Sequence, residues 1–364
     1  MDARRGNYLI EKQYLSGVGS VLASGEPSLL RVNLRLVDAT FLCCTYNRAS
    51  DLAEMLESAL AQDAGDYSWD ILVVDNNSRD RTRPVVESFM ERAPGRIRYL
   101  FEPRQGKSNA LNTGVAALSS PIHLIADDDL LFPRDYLRKV CDAFAAHPEI
   151  DCLGGRVLPR WQSPPPAWLT EDHYAPLGVT GYGDQPIPTG PERPLCLVVG
   201  AFRTAAARQA GGYLYDVAPT GSRAGGIEDA LLFSQLYASG RRGLYQPDLH
   251  VFHKVETRRV TKRYHRRWHR DHGRNFAVAR DPSVDCGRPG PFGVPAYMYR
   301  QAAVDAWAAL RERLAGRPNR AFLAETHLWF LWGFFSARAF GASPRAPADA
   351  KAAPEGAAGP APRG

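Results

Sequence analysis

The sequence predicts an α/β protein with a mainly parallel sheet and helices on both faces of that sheet. From Thr40 to about residue 157, short apolar runs alternate with segments whose apolar residues fall on one helical face. Repeated strand–helix–strand units of this kind place parallel strands in one sheet. The 364 residues, 45% of them hydrophobic, can bury a sizeable core. Polar clusters also follow four of the strands, at the edge where ligands of such sheets bind.

Each element of the alternation has its own local signal. Ser50 can cap the first helix, and Pro84 fits the first turn of the second. The third helix is predicted at 109–118 and the fourth at 134–147. The predicted strands are TFLCCT (40–45), DILVVD (70–75), IRYLF (97–101), IHLIA (122–126) and DCLGGRV (151–157). Two further strands, LCLVVGAFR (195–203) and LYQPDLHVFHK (244–254), flank a helix that begins in GGIEDALL (225–232).

Composition divides the chain into four regions. We expect an N-terminal extension at 1–37, the sheet domain at 38–253, a basic and aromatic helical region at 254–340, and a disordered tail at 341–364. Within the domain, residues 159–194 hold nine prolines, which predicts a structured binding loop or a lid.

The positive charge of the chain is concentrated. The formal net charge is +6, and nine Lys or Arg residues fall between 254 and 274, which predicts an anionic partner. This stretch and residues 321–340 leave two alternatives open. They form either an interfacial contact with an anionic membrane or the basic wall of a pocket beside an ordinary core helix. Residues 321–340 carry Trp329, Phe330, Trp332, Phe334 and Phe335.

The sequence predicts a cytoplasmic protein, with peripheral contact at the inner face of a membrane as the open alternative. Glu11 and Lys12 interrupt any apolar stretch near the start, which argues against a signal peptide. No apolar run approaches the ~20 residues that span a bilayer. The cysteines lack C-x-x-C spacing and are expected to be buried free thiols of a reducing compartment. They are Cys43, Cys44, Cys141, Cys152, Cys196 and Cys286.

Four polar clusters follow four successive strands. They are CTYNR (44–48), VVDNNSRDRT (73–82), RQGKSNALNTG (104–114) and ADDDLLFP (126–133). For any single cluster a surface turn is the simpler interpretation, because Asp and Asn favour turns. Four clusters at one edge of one sheet instead predict a binding site.

The acidic triplet Asp127, Asp128 and Asp129 ends the fourth strand. Carboxylates this close raise each other's pKa unless a cation shares them. A divalent cation such as Mn²⁺ or Mg²⁺ prefers oxygen ligands and would bridge the phosphates of a nucleotide diphosphate. Asp75 could then accept hydrogen bonds from the nucleobase or the ribose.

The sequence argues against two other nucleotide-binding motifs. GKS at 106–108 suggests a phosphate-binding P-loop, but Phe101 occupies the position where that motif needs its first glycine. No G-x-G-x-x-G follows the first strand, which weakens a dinucleotide-binding interpretation.

The four strand-end clusters, in their order along the chain, resemble those of the inverting family-2 glycosyltransferases of the GT-A fold. The resemblance extends over roughly residues 38–280. The resemblance implies a nucleotide-diphosphate sugar as donor. It also implies that DDD is the metal-binding D-x-D element, although Ala126 replaces the usual first acid. The implied substrate-binding residues are Thr45, Asn47, Arg48, Asp75, Lys107, Asn112 and Asp127, and the implied metal ligands are Asp128, Asp129 and His253.

The catalytic assignment also comes from the resemblance. GGIEDALL resembles the Glu–Asp element that supplies the general base, which implies that Asp229 is the base and Glu228 its neighbour. The alternative is an ordinary helix start, where the helix dipole lowers a carboxylate pKa. His253 matches a late histidine of some relatives better than His250 does.

Histidines at 265, 269 and 272 lack an H-E-x-x-H pattern, so a solvated basic helix is the better interpretation of that segment.

The expected function is transfer of the sugar, with inversion, to a hydroxyl of an unknown acceptor. That acceptor is a saccharide, a lipid-linked molecule or a small molecule, and no nucleic acid is expected. Its pocket should involve residues 159–194 and 213–227. One alternative is a sugar nucleotidyltransferase, which would carry a glycine-rich basic loop where CTYNRASD stands. The other is a non-catalytic nucleic-acid-binding protein, which would rest only on the basic stretch 254–274.

Overall fold

The first half of the central sheet consists of parallel strands. The computed structural model describes residues 37–197, 199–213 and 226–341. The strands are β1 (Ala39–Thr45), β2 (Trp69–Asp75), β3 (Ile97–Phe101) and β4 (Ile122–Ile125). They lie in the order β3-β2-β1-β4, and every neighbouring pair is parallel. The predicted parallel sheet is confirmed here, and all four strands lie within a residue or two of the predicted ranges.

The second half of the sheet mixes strand directions. Its strands are β5 (Leu130–Leu131), β6 (Cys152–Trp161), β7 (Ile187–Thr189), β8 (Gly200–Arg203) and β9 (Gly243–Val255). β8 lies antiparallel between β4 and β6, whereas β6 and β9 are parallel. β5 and β7 pair antiparallel with β9. The strand predicted at 195–203 is therefore only four residues long, and β5 and β7 were not predicted.

Helices cover both faces of the sheet, as predicted. They are α1 (Ala49–Leu60), α2 (Thr82–Arg92), α3 (Lys107–Ala116), α4 (Tyr136–Ala146), α5 (Thr204–Gln209) and α6 (Glu228–Ala238). One hydrophobic core joins α1, α2 and α4 to the sheet, and a second joins α3, α5 and α6. In β1, Phe41 and Cys43 enter the first core and Leu42 the second, because side chains alternate along a strand. Burial on both faces explains why the strands are continuous apolar runs.

Three helices form the C-terminal region: α7 (Lys262–Ala279), α8 (Ala296–Leu314) and α9 (Pro318–Ala339). The helical segment predicted at 301–340 is thus two helices. The backbones of α7 and α9 touch at two glycines. A Cβ on Gly273 would lie 2.0 Å from the carbonyl oxygen of Phe330, and one on Gly333 would lie 1.9 Å from that of Arg270. Larger residues there would force the helices apart.

Two predicted regions fall almost entirely on residues that the structure does not describe, and the predicted burial of the cysteines is corrected in part. Apart from Val37 and Gly341, the predicted N-terminal extension and tail lie outside these residues. The six cysteines are free thiols, but Cys286 is exposed rather than buried, and Cys44 and Cys196 are partly exposed. Across the part of the chain that is described, every helix is too short or too polar to cross a bilayer.

Candidate functional site

A cavity of about 670 Å³ opens beyond the carboxyl ends of β1 and β4. All four predicted polar clusters contribute residues to its wall, together with Glu228 and Asp229 of α6 and His253 of β9. The cluster after β2 contributes only Asn76. The parallel strands therefore bring the predicted clusters to one edge of the sheet, as expected for this topology.

The guanidinium of Arg48 lies among four carboxylates, which we call the Arg48 cluster. Its Nε is 3.1 Å from Oδ1 of Asp128, and its Nη1 is 3.1 Å from Oδ2 of Asp129. Its Nη2 is 2.9 Å from Oδ2 of Asp51 and 3.3 Å from Oε1 of Glu256. Arg48, predicted to contact a nucleotide, therefore binds the acidic triplet of its own chain.

The two inner carboxylates of this cluster differ in their proton affinity. Burial raises the pKa of Asp128 above its ordinary value, although Arg48 lowers it and Thr45 donates a hydrogen bond of 2.8 Å to its Oδ2. Burial acts in the same direction on Asp129, but His253 and Arg48 outweigh it and bring its pKa below the ordinary value. Asp128 is thus the acid of the triplet whose negative charge is least compensated.

The position of His253 follows from a short strand pair. β5 and β9 align Leu130 with His253, next to Asp129. The His253 Nε2 lies 3.1 Å from Oδ2 of Asp129 and 3.1 Å from Nη1 of Arg259. Its Nδ1 is buried and has no hydrogen-bond partner among the described residues. His253, predicted as a metal ligand, therefore lies beside Asp129 of the triplet, while His250 does not line the cavity.

A second charged group lies beside the first, and we call it the Lys107 cluster. Lys107 begins α3, and its Nζ lies 3.0 Å from Oδ1 of Asp127, 3.3 Å from Oε1 of Glu228 and 4.0 Å from Oδ2 of Asp229. Although burial opposes it, these three carboxylates raise the pKa of Lys107 well above its usual value. The single positive charge of Lys107 is thus shared among three carboxylates.

The second acid of the Glu–Asp pair has an unusual proton affinity. Asp229 lies in the first turn of α6, where the helix dipole alone would lower its pKa. Burial instead raises the pKa of Asp229 to about 7, with Glu228 adding to the increase and Lys107 opposing it. An ordinary helix start does not account for this environment.

The C-terminal region supplies a wall of the cavity that the site prediction left out. This wall consists of Arg258, Arg259, Tyr264, Arg267, Trp268, His272 and Phe276. The ring of Trp268 stacks on that of His272, with their centroids 4.2 Å apart. The spacing of four residues from Tyr264 to Phe276 was a usable signal, because residues four apart share a helical face.

Three predicted substrate-binding residues serve the protein itself and do not line the cavity. Asn47 Oδ1 accepts from the Arg79 amide at 2.7 Å, and its own backbone has a positive φ of 53°. Asp75 accepts from the Ser78 amide at 2.9 Å and from the Tyr99 hydroxyl at 2.8 Å. Asn112 bonds both backbone groups of Tyr213, at 2.7 and 2.8 Å. These contacts hold the loops around the site.

The predicted metal ligands are not assembled as a metal centre. Within the described ranges, no three His, Cys, Asp or Glu side chains are grouped in a way that could hold a metal ion. Asp128, Asp129 and His253 lie close together, but Arg48 and Arg259 occupy the contacts between them.

The interpretation of α7 as a solvated helix is wrong for two of its faces. His265 is fully buried, and its ring lies 5.1 Å from that of Trp168. Burial lowers the pKa of His265 to about 4. On another face, Trp268 turns toward the cavity. Three of the nine basic residues, Arg258, Arg259 and Arg267, therefore line the cavity. α9 places Phe334 in a core with α7 and α8.

Comparison with known proteins finds a family match over part of the chain. The family model for glycosyl transferase family 2 matches residues 40–190. An uncharacterized glycosyltransferase of Nostoc is 32% identical over 99 residues, covering 27% of this chain and 30% of that protein. Validoxylamine A glucosyltransferase of Streptomyces hygroscopicus is 31% identical over 148 residues, covering 39% and 34%. The matched segments span about a third of each relative's length.

A solved structure supports the fold over most of the chain. A mannosyltransferase from Pyrobaculum calidifontis, in complex with GDP-mannose and Mn²⁺, matches 92% of this chain and 92% of its own, with a TM-score of 0.51 and 21% identity. Residues 40–190 are thus similar to glycosyl transferase family 2, and the fold is that of the GT-A glycosyltransferases. The fold class predicted from the sequence is confirmed.

Proposed function

We propose that this protein transfers a sugar from a nucleotide-diphosphate donor to an acceptor hydroxyl, with inversion at the anomeric carbon and with Asp229 as the general base. The observation that carries this proposal is the position of Asp229 in the cavity wall, 4.0 Å from Nζ of Lys107, where burial raises its pKa to about 7. A carboxylate with that pKa is ionised at slightly alkaline pH and accepts a proton more readily than an ordinary aspartate.

The reaction that fits is a single displacement. Asp229 takes the hydroxyl proton while the acceptor oxygen bonds to the anomeric carbon. The bond from that carbon to the diphosphate breaks, and its electron pair leaves on the phosphate oxygen. Lys107, Arg258 and Arg259 line the same cavity and stabilise the departing negative charge. Attack from the side opposite the leaving group inverts the carbon.

The predicted acceptor pocket has partial support. Pro176, Gly178 and Thr180 of the proline-rich segment line the cavity, as do Gly226 and Ile227 just before the base. Residues 214–225 lie outside the described residues. We assign the sheet domain at 38–253 to the donor and the base, with 254–340 completing the cavity.

A divalent cation fits this site by donor type. Asp128 is a buried carboxylate with a raised pKa, and the His253 ring nitrogen Nε2 faces Asp129 at 3.1 Å. These two would hold Mn²⁺ or Mg²⁺, with Asp129 as a further oxygen ligand. When bound, the ion neutralises diphosphate charge. Because Arg48 contacts both Asp128 and Asp129, binding of the metal ion requires that Arg48 lose its contact with at least one of these carboxylates.

The donor assignment is tested by calorimetry with a panel of UDP-, GDP- and dTDP-sugars, with and without Mn²⁺. One nucleotide sugar should bind, and Asp128→Asn should remove the Mn²⁺-dependent part of its affinity. Asp142→Asn, an exposed acid on α4, is the matched control and should change nothing. If no sugar nucleotide binds under any condition, the transferase proposal fails.

The reaction itself is tested with the donor that binds. The anomeric configuration of the product, read by NMR, should be opposite to that of the donor. A product with retained configuration would reject the single displacement. Release of pyrophosphate from a nucleoside triphosphate and a sugar phosphate would instead establish the nucleotidyltransferase alternative.

The arrangement of the basic stretch favours the nucleic-acid-binding alternative less than the transferase. Arg258, Arg259 and Arg267 of the basic stretch turn toward the cavity, while Arg266 pairs with Glu325 at 2.6 Å. A basic wall of this kind suits a diphosphate better than a nucleic-acid backbone.

A further inference from the structure

The exposed side of α8 carries large apolar side chains without a covering element among the described residues. Trp307 is 63% exposed and Leu314 is 78% exposed. Tyr297, Val304 and Leu310 are also exposed, and all five fall on one side of the helix by their spacing. We call these five residues the α8 face. An exposed tryptophan beside exposed leucines is uncommon on a monomer surface and marks an interaction site.

The charge around the α8 face has one sign. Residues 296–340 contain six arginines and three carboxylates. Five of the arginines are exposed: Arg300, Arg311, Arg313, Arg317 and Arg320. Of the carboxylates, Asp305 and Glu312 are buried and Glu325 is half-buried. The outer surface of the helical pair therefore presents positive charge and apolar side chains together.

Side chains of α8, of the turn after it and of α9 lie against Glu312 and Asp305. Glu312 lies 2.7 Å from Nη2 of Arg311 and 3.4 Å from Nη1 of Arg317. Asp305 accepts from Gln301 at 3.0 Å and faces His327 of α9 at 3.8 Å. None of the three carboxylates is therefore displayed on the outer surface.

We propose that the α8 face docks on the surface of an anionic lipid bilayer. Tryptophan and leucine suit the boundary between headgroups and acyl chains, and arginines beside them attract anionic headgroups. A second copy of the chain fits less well, because a face-to-face contact would oppose like charges. A nucleic acid offers no hydrocarbon layer for Trp307 and Leu314. This proposal is independent of the transfer reaction. It places the membrane contact on α8, whereas the sequence suggested residues 254–274 and 321–340.

The test is co-sedimentation of the full chain with vesicles of phosphatidylcholine containing about 30% phosphatidylglycerol, compared with pure phosphatidylcholine. The chain should sediment with the anionic vesicles only, and less so at high salt, since salt screens exposed charges. Trp307→Ala with Leu314→Ala should weaken the partition at least about tenfold. Because both side chains are exposed, the melting temperature should stay nearly unchanged.

Two matched controls separate the α8 face from general effects. Phe101→Ala removes an aromatic residue that is 48% exposed at the end of β3 and should leave sedimentation unchanged. Arg300→Glu with Arg320→Glu should abolish it, whereas Arg83→Glu with Arg92→Glu on α2 alters the net charge equally and should not.

Several results would overturn the proposal. These are no sedimentation with anionic vesicles, equal sedimentation with both vesicles, equal loss for both charge reversals, and unchanged partition for the α8 double variant. A dimer that Trp307→Ala converts to a monomer in ultracentrifugation would assign the face to self-association instead.

Discussion

The two charged clusters of the cavity lie side by side but differ in how their charge is balanced. In the Arg48 cluster, Asp129 also contacts His253 and Arg259, and Asp51 also contacts Lys254. In the Lys107 cluster, one cation faces Asp127, Glu228 and Asp229. The Oε2 of Glu228 is buried without a hydrogen-bond partner among the described residues. The first cluster is mostly neutralised, and the second holds surplus negative charge.

The contrast in proton affinity is clearest between Asp129 and Asp229, although Asp128 of the Arg48 cluster also has a raised pKa. A carboxylate that shares several cations stays ionised and cannot take up a proton near neutral pH, as for Asp129. A half-buried carboxylate that faces a single cation at 4.0 Å has a raised pKa and can do so, as for Asp229. We therefore expect substitutions in the Lys107 cluster to change catalysis and those in the Arg48 cluster to change mainly stability and metal binding.

The largest expected effect is on the base. Asp229→Asn should lower turnover at least about a hundredfold, because removing a general base costs that much or more. Donor affinity should stay the same, since the proton moves only in the transition state. Glu228→Gln should be milder, because Glu228 lines the cavity beside the base but does not itself take the proton. If Glu228→Gln is inactive while Asp229→Asn is active, the two roles are reversed.

The next effect is on stability. Arg48→Met leaves two buried carboxylates without their main cation, and should lower the free energy of unfolding by about 3 kcal/mol. Mn²⁺ should restore part of that loss if the ion takes the place of the guanidinium. Urea denaturation measures both. The control is Arg83→Met, an exposed pair with Glu87 that should change stability by less than about 1 kcal/mol. An equal loss of unfolding free energy in Arg48→Met and Arg83→Met would show that the Arg48 cluster stabilises the fold no more than an exposed ion pair does.

A smaller effect is expected from Lys107→Met. Lys107 lowers the pKa of Asp229, so its removal should raise that pKa further and move the acid limb of the rate profile to higher pH. At pH 6.5 the rate should fall about tenfold, and part of the loss should return at pH 8.5. Lys139→Met, an exposed pair with Asp135, is the control. A loss that does not depend on pH would assign Lys107 to diphosphate binding alone.

The sequence was informative where a local pattern decides the outcome. The four strand-end clusters were found because apolar runs and turn residues are read along the chain, and the parallel topology then brings Thr45, Lys107 and Asp128 together. The Glu–Asp pair was recognised by its motif. Its raised proton affinity was not predictable, because it depends on burial by residues far away in sequence.

The parts that sequence missed depend on long-range pairing. Arg48 meets Glu256 across 208 positions, and no local pattern encodes that contact. His253 reaches Asp129 through β5, a strand of two residues that is too short to predict. Asp75 and Asn112 are polar residues in motif positions, yet their hydrogen bonds go to neighbouring loops. Residue type alone cannot tell whether a side chain holds a loop or faces a ligand.

The measurement that tests the account most directly is the pH dependence of turnover for the wild-type protein and Asp229→Asn, at saturating donor and acceptor. A base must be ionised to act, so wild-type turnover should rise with pH and reach half its maximum near pH 7, where the pKa of Asp229 lies. In Asp229→Asn this limb should vanish, and the residual rate should be flat across it. A wild-type limb below pH 5, or a limb near pH 7 that persists in Asp229→Asn, would contradict the assignment of Asp229 as the base.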